Sequence, residues 1–158
     1  MDHLSVYVAH SSDKNKRIQT VEAHLQGVAA KAEKLARKLG LSQAGLLIGL
    51  LHDFGKYSQA FQKYIKDAKG LINSDLDVGA MKGKIDHSTA GAQWIHQQLS
   101  RRGNKAQGQL CAQMLAICIA SHHSGLIDCL DLDGINVLAK RMEKSEENAH
   151  LQECINNA

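Results

Sequence analysis

Leu46-Leu47-Ile48-Gly49-Leu50-Leu51-His52-Asp53-Phe54-Gly55-Lys56 decides how the rest of the chain is read. Large aliphatic residues surround one glycine with no polar interruption, which predicts a helix buried on all sides. The run then ends on a histidine, an aspartate and a lysine. A buried helix does not carry three ionisable groups at its end unless something there needs them. Successive helical residues point about 100° apart, so His52 and Asp53 address two neighbouring points in space. An imidazole beside a carboxylate suits a divalent metal, and the carboxylate can bridge a second ion. By itself the pair is equally an accident of a helix end, with Gly55 as the stop.

Working outward, 158 residues make one domain with room for a sizeable core. Hydrophobic content is 44%, yet aromatics are only 4% and proline is absent, so an all-α chain packed with aliphatic side chains is expected. The formal charge of +3 permits a polyanionic partner without demanding one. Cys111, Cys118, Cys129 and Cys154 follow no metal or disulfide spacing. Cys111 and Cys118 fall on one helical face and are expected to be small buried thiols. No apolar run is long enough for a membrane span and no signal peptide is visible, so a reduced, cytoplasmic chain is expected.

Residues 1–20 suggest a loosely held arm, in which His10 is an exposed or locally bonded histidine. A first helix is expected from about Thr20 to Leu39, with Val21, His24, Leu25, Val28, Ala32, Leu35, Ala36 and Leu39 on its buried stripe. Thr20 is its N-cap and Gly40 its stop. The central helix begins at Ser42 as a cap. A short amphipathic segment follows from Ser58 to Lys66, then an irregular stretch from Asp67 to Asp86 that is expected to border a site. The next helix runs from about Asp86 or His87 to Ser100. His87 opens its inward face, whereas His96 lies about 180° round and is expected in solvent. Beyond the basic connection Arg101-Arg102-Gly103-Asn104-Lys105, a helix from about Gln109 to Ser121 stops on His122-His123. A last helix is expected from Gly134 to Asn156.

His24, His52, Asp53, His87, His122 and His123 thus lie on inward faces or at the ends of apolar helices. Five imidazoles and a carboxylate from one bundle are hard to satisfy separately in an aliphatic core, and a shared metal centre satisfies them together. The spaced pattern H…HD…H…HH resembles the HD-domain metal-dependent phosphohydrolases. Leu51-His52-Asp53-Phe54-Gly55-Lys56 with Phe61 is similar to the HDxGK segment of the CRISPR-associated HD nucleases, the DNA-cutting part of the type I nuclease-helicase. Glu22-Ala23-His24-Leu25, His87-Ser88-Thr89-Ala90-Gly91-Ala92 and Ser121-His122-His123-Ser124-Gly125-Leu126 resemble that family's other blocks, in order, from about Ala9 to Leu126.

The resemblance implies an HD-domain helical bundle with a metal site at the ends of buried helices. It assigns His24, His52 and Asp53 to a first metal, with Asp53 bridging to a second held by His87, His122 and His123. It places Lys56 beside the scissile phosphate; a surface cation at a helix end is the plain alternative. The family closes its first site with an aspartate far downstream of the double histidine, and no aspartate follows Asp133 here. Asp128 or Asp131 substitutes for it, or the ligand lies beyond Ala158 in a chain that is a fragment, lacking C-terminal helices and a helicase part.

Mixed imidazole and carboxylate donors suit Mn, Fe, Ni, Co or Zn better than Mg. Two such ions about 3.5–4 Å apart support in-line phosphoryl displacement. Arg101, Arg102, Lys105, Lys82 and Lys84 are candidates for guiding a polyanion or are simply solvated loops. Without interleaved aromatics, little sequence preference is expected. The leading expectation is a nuclease cutting single-stranded DNA in CRISPR defence, recruited to an RNA-guided surveillance complex. No GxxxxGK[ST] loop occurs, so a helicase belongs to a separate chain or another part of the same one. An HD phosphohydrolase acting on nucleotides or cyclic nucleotides would use the same centre, and a helical interaction module with a degenerate site is the third reading.

Overall fold

The computed structural model describes residues 6–12, 17–67, 85–123 and 125–158. Most of the irregular stretch from Asp67 to Asp86, with Lys82 and Lys84, lies outside these residues. The chain is mostly helical, as its composition predicts, with one small addition: β1 (Val8–Ser12) pairs antiparallel with β2 (Arg17–Thr20). The described part of the N-terminal arm is therefore not loose. Val21 N–H donates to the Tyr7 carbonyl at 2.8 Å, and Ala9 is buried.

Helix α1 (Val21–Ala36) starts where Thr20 Oγ1 accepts the Ala23 N–H at 3.1 Å, and a 3-10 turn (Arg37–Leu39) carries it to Gly40 at φ +72°. Its buried residues are Val21, Leu25 and Ala29; Leu35 and Leu39, expected inside, are exposed. Helix α2 (Ser42–Leu51) begins on Ser42 itself, with no side-chain cap. It is not buried all round. Gly45, Gly49 and Leu51 are buried, while Leu46, Leu47, Ile48 and Leu50 are half-buried. The reason is close packing through the glycines. A Cβ at Gly45 would strike the backbone of Ala32, and one at Gly49 that of Ala29, so α2 lies antiparallel and tight on α1 along this small-residue stripe.

A 3-10 turn (Phe54–Tyr57) leads to α3 (Gln59–Asp67); then come α4 (Thr89–Leu99) and α5 (Lys105–Ser121), an antiparallel pair. Asn104 caps α5, accepting the Ala106 N–H, so that helix starts four residues before the expected Gln109. Asp86 caps α4 from outside, accepting from Ser88 and Thr89, and it also receives Arg141 and Lys144.

The single last helix is in fact three pieces: α6 (Val137–Met142), α7 (Glu146–Ala149) and α8 (Leu151–Asn157). Two capping arrangements force the breaks. Buried Gln93 donates to the carbonyls of Arg141, Met142 and Lys144, ending α6. Glu146 accepts the N–H groups of Gln152 and Glu153, which requires the chain to turn at His150 with φ +55°. The core joins Leu51, Ala92, Ile95, Ala116, Ile119, Ala120 and Leu138.

Cys111 and Cys118 are exposed, against expectation, because α5 turns Ala112, Ala116 and Ile119 to α4 instead. Cys154 alone among the thiols is buried, and burial, aided by Glu153 and Glu146, pushes it up to about 12. A thiol-reactive disulfide at pH 8 is expected to titrate Cys111, Cys118 and Cys129 in the folded protein and Cys154 only after denaturant is added. A Cβ at Gly91 would overlap the Leu51 carbonyl oxygen. Gly91→Ala is therefore expected to destabilise by about 1–3 kcal/mol in urea unfolding, and an unchanged midpoint would contradict this close approach.

Candidate metal centre

Four chain segments deliver the chemistry to one place. His24 projects from α1. His52 ends α2 and Asp53 follows it, entering the 3-10 turn. His87 precedes α4 and is held by its own carbonyl, which accepts the Gly55 N–H at 2.9 Å. His122 ends α5, with His123 next. Asp53 is buried at their focus, and its two oxygens divide the surroundings.

Oδ2 lies 2.9 Å from His24 Nε2, 3.2 Å from His52 Nε2 and 2.9 Å from Lys56 Nζ. Oδ1 lies 3.0 Å from His122 Nε2, 3.4 Å from His87 Nε2 and 3.7 Å from His123 Nε2. His24, His52, Lys56, His87, His122 and His123 are therefore gathered around this one carboxylate. His96, half-buried on α4, is not among the donors.

The hydrogen bonds behind the imidazoles fix what they present. Nδ1 of His52, His87 and His122 reaches the carbonyls of Gly49 (2.9 Å), Ile85 (3.0 Å) and Ile119 (2.7 Å). A carbonyl only accepts, so Nδ1 carries the hydrogen and Nε2 of the neutral ring turns a lone pair inward. Those lone pairs meet carboxylate oxygens, which also only accept. Acceptor against acceptor needs a cation between them. Donor atoms sharing one ion at about 2.1 Å stand about 3–3.4 Å apart, close to the 3.1 Å between His24 Nε2 and His52 Nε2 and to most of the Asp53 distances. The donor set fits divalent metal.

Protonation agrees with this. Burial lowers His24 and His87 below the ordinary imidazole range; neighbouring Lys56 adds to this, although Asp53 opposes it. Burial and His122 lower His123 likewise. Burial by itself would raise the Asp53 carboxyl, but the adjacent His122 and His52 rings and the Lys56 ammonium reverse it and hold the group far below the usual carboxylate range. Neutral imidazoles around an ionised carboxylate are the forms that ligate metal.

Lys56 is not a surface cation. It is 3% exposed, and its ammonium reaches Asp53 Oδ2, lies 3.3 Å from His10 Nε2 and sits 5.3 Å above the Phe61 ring. His10 is the residue that sequence reasoning missed. Its ring packs edge-on to His24 at 4.7 Å between centroids, and His10, His24 and Asp53 together form a group able to hold an ion. The only signal was its alternation with buried Ala9 on a strand too short to show a period.

Asp128 and Asp131 do not join either donor group among the described residues; Asp131 instead accepts the N–H groups of Asp133 and Ile135 in its own turn. Arg101, Arg102 and Lys105 are exposed at the far end of the α4–α5 pair, about 25 Å from His122 along α5 at 1.5 Å per residue, so they do not line the centre.

Residues 8–154 match the family described as Cas3, HD domain. The chain belongs to that family. The family is that of the CRISPR-associated HD nucleases, whose HD domains bind divalent metals. A comparison with curated proteins gave no match. No helix among the described residues is long and apolar enough to cross a membrane. Asp53→Ala is expected to strip metal from the purified protein, whereas His96→Ala retains it. Equal loss in the two variants by elemental analysis would contradict the assignment of these faces.

Proposed function

We propose that the chain is a metal-dependent nuclease that hydrolyses phosphodiester bonds of single-stranded DNA in CRISPR antiviral defence. The division of Asp53 carries this reading. Oδ2 with His24 and His52 forms one half-site, and Oδ1 with His87, His122 and His123 forms the other. Asp53 is thereby suited to bridge two ions, which, when bound, supply Lewis acidity and an activated water. Mn, Fe, Ni, Co and Zn match the imidazole-rich donors better than Mg.

The protein's own part is orientation and charge. The Gly49, Ile85 and Ile119 carbonyls lock three imidazoles in the ligating tautomer. Lys56, held against Asp53, is placed to offset charge on the scissile phosphate. His123 is 59% exposed, so the centre opens to solvent on that side, which suits a strand entering from outside. Residues 1–158 act as one nuclease unit in the reducing cytoplasm. A helicase, in the same or a separate chain, and an RNA-guided surveillance complex supply the single strand.

The test is cleavage of circular single-stranded DNA by metal-stripped protein, with Mn, Ni, Co, Fe, Zn and Mg restored one at a time. Nicking of the circle with a transition metal is expected, abolished in Asp53→Ala and slowed about 10²-fold in Lys56→Gln, the scale of one lost electrostatic contact. Phosphate release from nucleotides with the circle intact would instead establish the phosphohydrolase reading.

A further inference from the structure

The two half-sites are unequal in protein donors. Among the described residues, Asp53 Oδ1 stands with His87, His122 and His123, a set of four, whereas the imidazoles at Oδ2 are those of His24 and His52. We propose that His10 supplies the fourth donor of the poorer half, completing a site of His10, His24, His52 and Asp53. The proposal rests on the two-ion reading above.

Several observations place His10 there. The β1–β2 ladder carries a register irregularity between Val8 and His10, the kind of bulge that re-aims a side chain. The strand is also pinned on the side of the centre. Buried Gln62 accepts the Val8 N–H at 2.9 Å and donates to the Val8 carbonyl at 3.0 Å and the Lys56 carbonyl at 2.8 Å. One side chain thus clamps β1 to the turn that bears Lys56. With Ala9 sealed in the core, the following residue is delivered beside His24, and ligand atoms of His10, His24 and Asp53 lie within 4.8 Å of one another.

The gap between His10 Nε2 and Asp53 Oδ2 is already spanned by a positive group, the Lys56 ammonium, at 3.3 and 2.9 Å. That gap is complementary to a cation. Being exposed, His10 has freedom to adjust its ring toward an ion that buried Asp53 lacks. His52 Nε2, 3.1 Å from His24 Nε2 and 3.2 Å from Asp53 Oδ2, adjoins this group, and three imidazoles with one carboxylate would make a four-coordinate set whose softer donors favour Zn, Co, Ni or Fe over Mg.

The experiment counts metal rather than turnover. Wild-type, His10→Ala, His10→Gln and His87→Ala proteins are stripped, reloaded with Co(II), desalted and analysed for cobalt per chain, and their visible spectra are recorded. Circular dichroism checks the fold of each. Two ions per wild-type chain are expected, falling to one in both His10 variants. Loss of a different part of the d–d spectrum from that lost in His87→Ala is also expected. Two ions and an unchanged spectrum in the His10 variants would overturn the proposal and leave His10 as a neighbour of Lys56. A wild-type protein that retains no cobalt would instead sink the two-ion reading itself.

Discussion

One buried carboxylate organises this structure. Asp53 is ionised in a place where an isolated charge would cost several kcal/mol, and it is tolerated because each of its oxygens faces a separate group of polar partners. The partners come from α1, from the ends of α2 and α5, from the 3-10 turn that bears Lys56, and from His87 two residues before α4. None of these segments can shift far without leaving Asp53 against aliphatic side chains. The centre is therefore a constraint on the fold as much as a product of it.

Small residues are what let the helix ends converge. Gly45 and Gly49 bring α2 onto α1, and Gly91 brings α4 against the last carbonyl of α2. Gly55 brings the turn after Asp53 against the backbone of His87. At each point a side chain would hold the backbones apart, and imidazole Nε2 atoms that now stand about 3 Å from the carboxylate would be too far to share an ion with it. The tautomer locks depend on the same geometry. His52 and His122 each reach the carbonyl three residues back in the helix they terminate, so ending the helix at the histidine is what orients the ring.

The parts of this design that are local were legible in the sequence. Apolar runs ending on His52-Asp53 and His122-His123 announced both the helices and their functional ends, and His24 and His87 fell on the faces that turn inward. What could not be read was set by partners distant in sequence. Leu35, Leu39, Cys111 and Cys118 continue a helical apolar pattern yet face outward, because α2 and α4 cover only the small-residue side of their neighbours. The broken C-terminal helix depends on Gln93 and Glu146 acting as caps, and no residue there breaks a helix by itself. His10 was hidden for a related reason: a five-residue strand with a bulge has no period to betray which side chain points where.

In the proposed two-ion reading, charge balance would set the substrate preference of the centre independently of any surface groove. Asp53 and Lys56 cancel, and burial holds His24, His87 and His123 toward neutrality, so these groups contribute almost no net charge at the focus. In the proposed two-ion state the site gains about four positive charges in a partly buried setting, where screening is weak. Exposed Arg101, Arg102 and Lys105 are too remote to share in this field. Attraction for a phosphodiester would then arise at the reacting centre itself, where it strengthens as negative charge develops on the phosphoryl oxygens. A centre of this kind holds the backbone of a strand by its charge and has no means of reading its bases, which accords with the lack of aromatic platforms in the sequence.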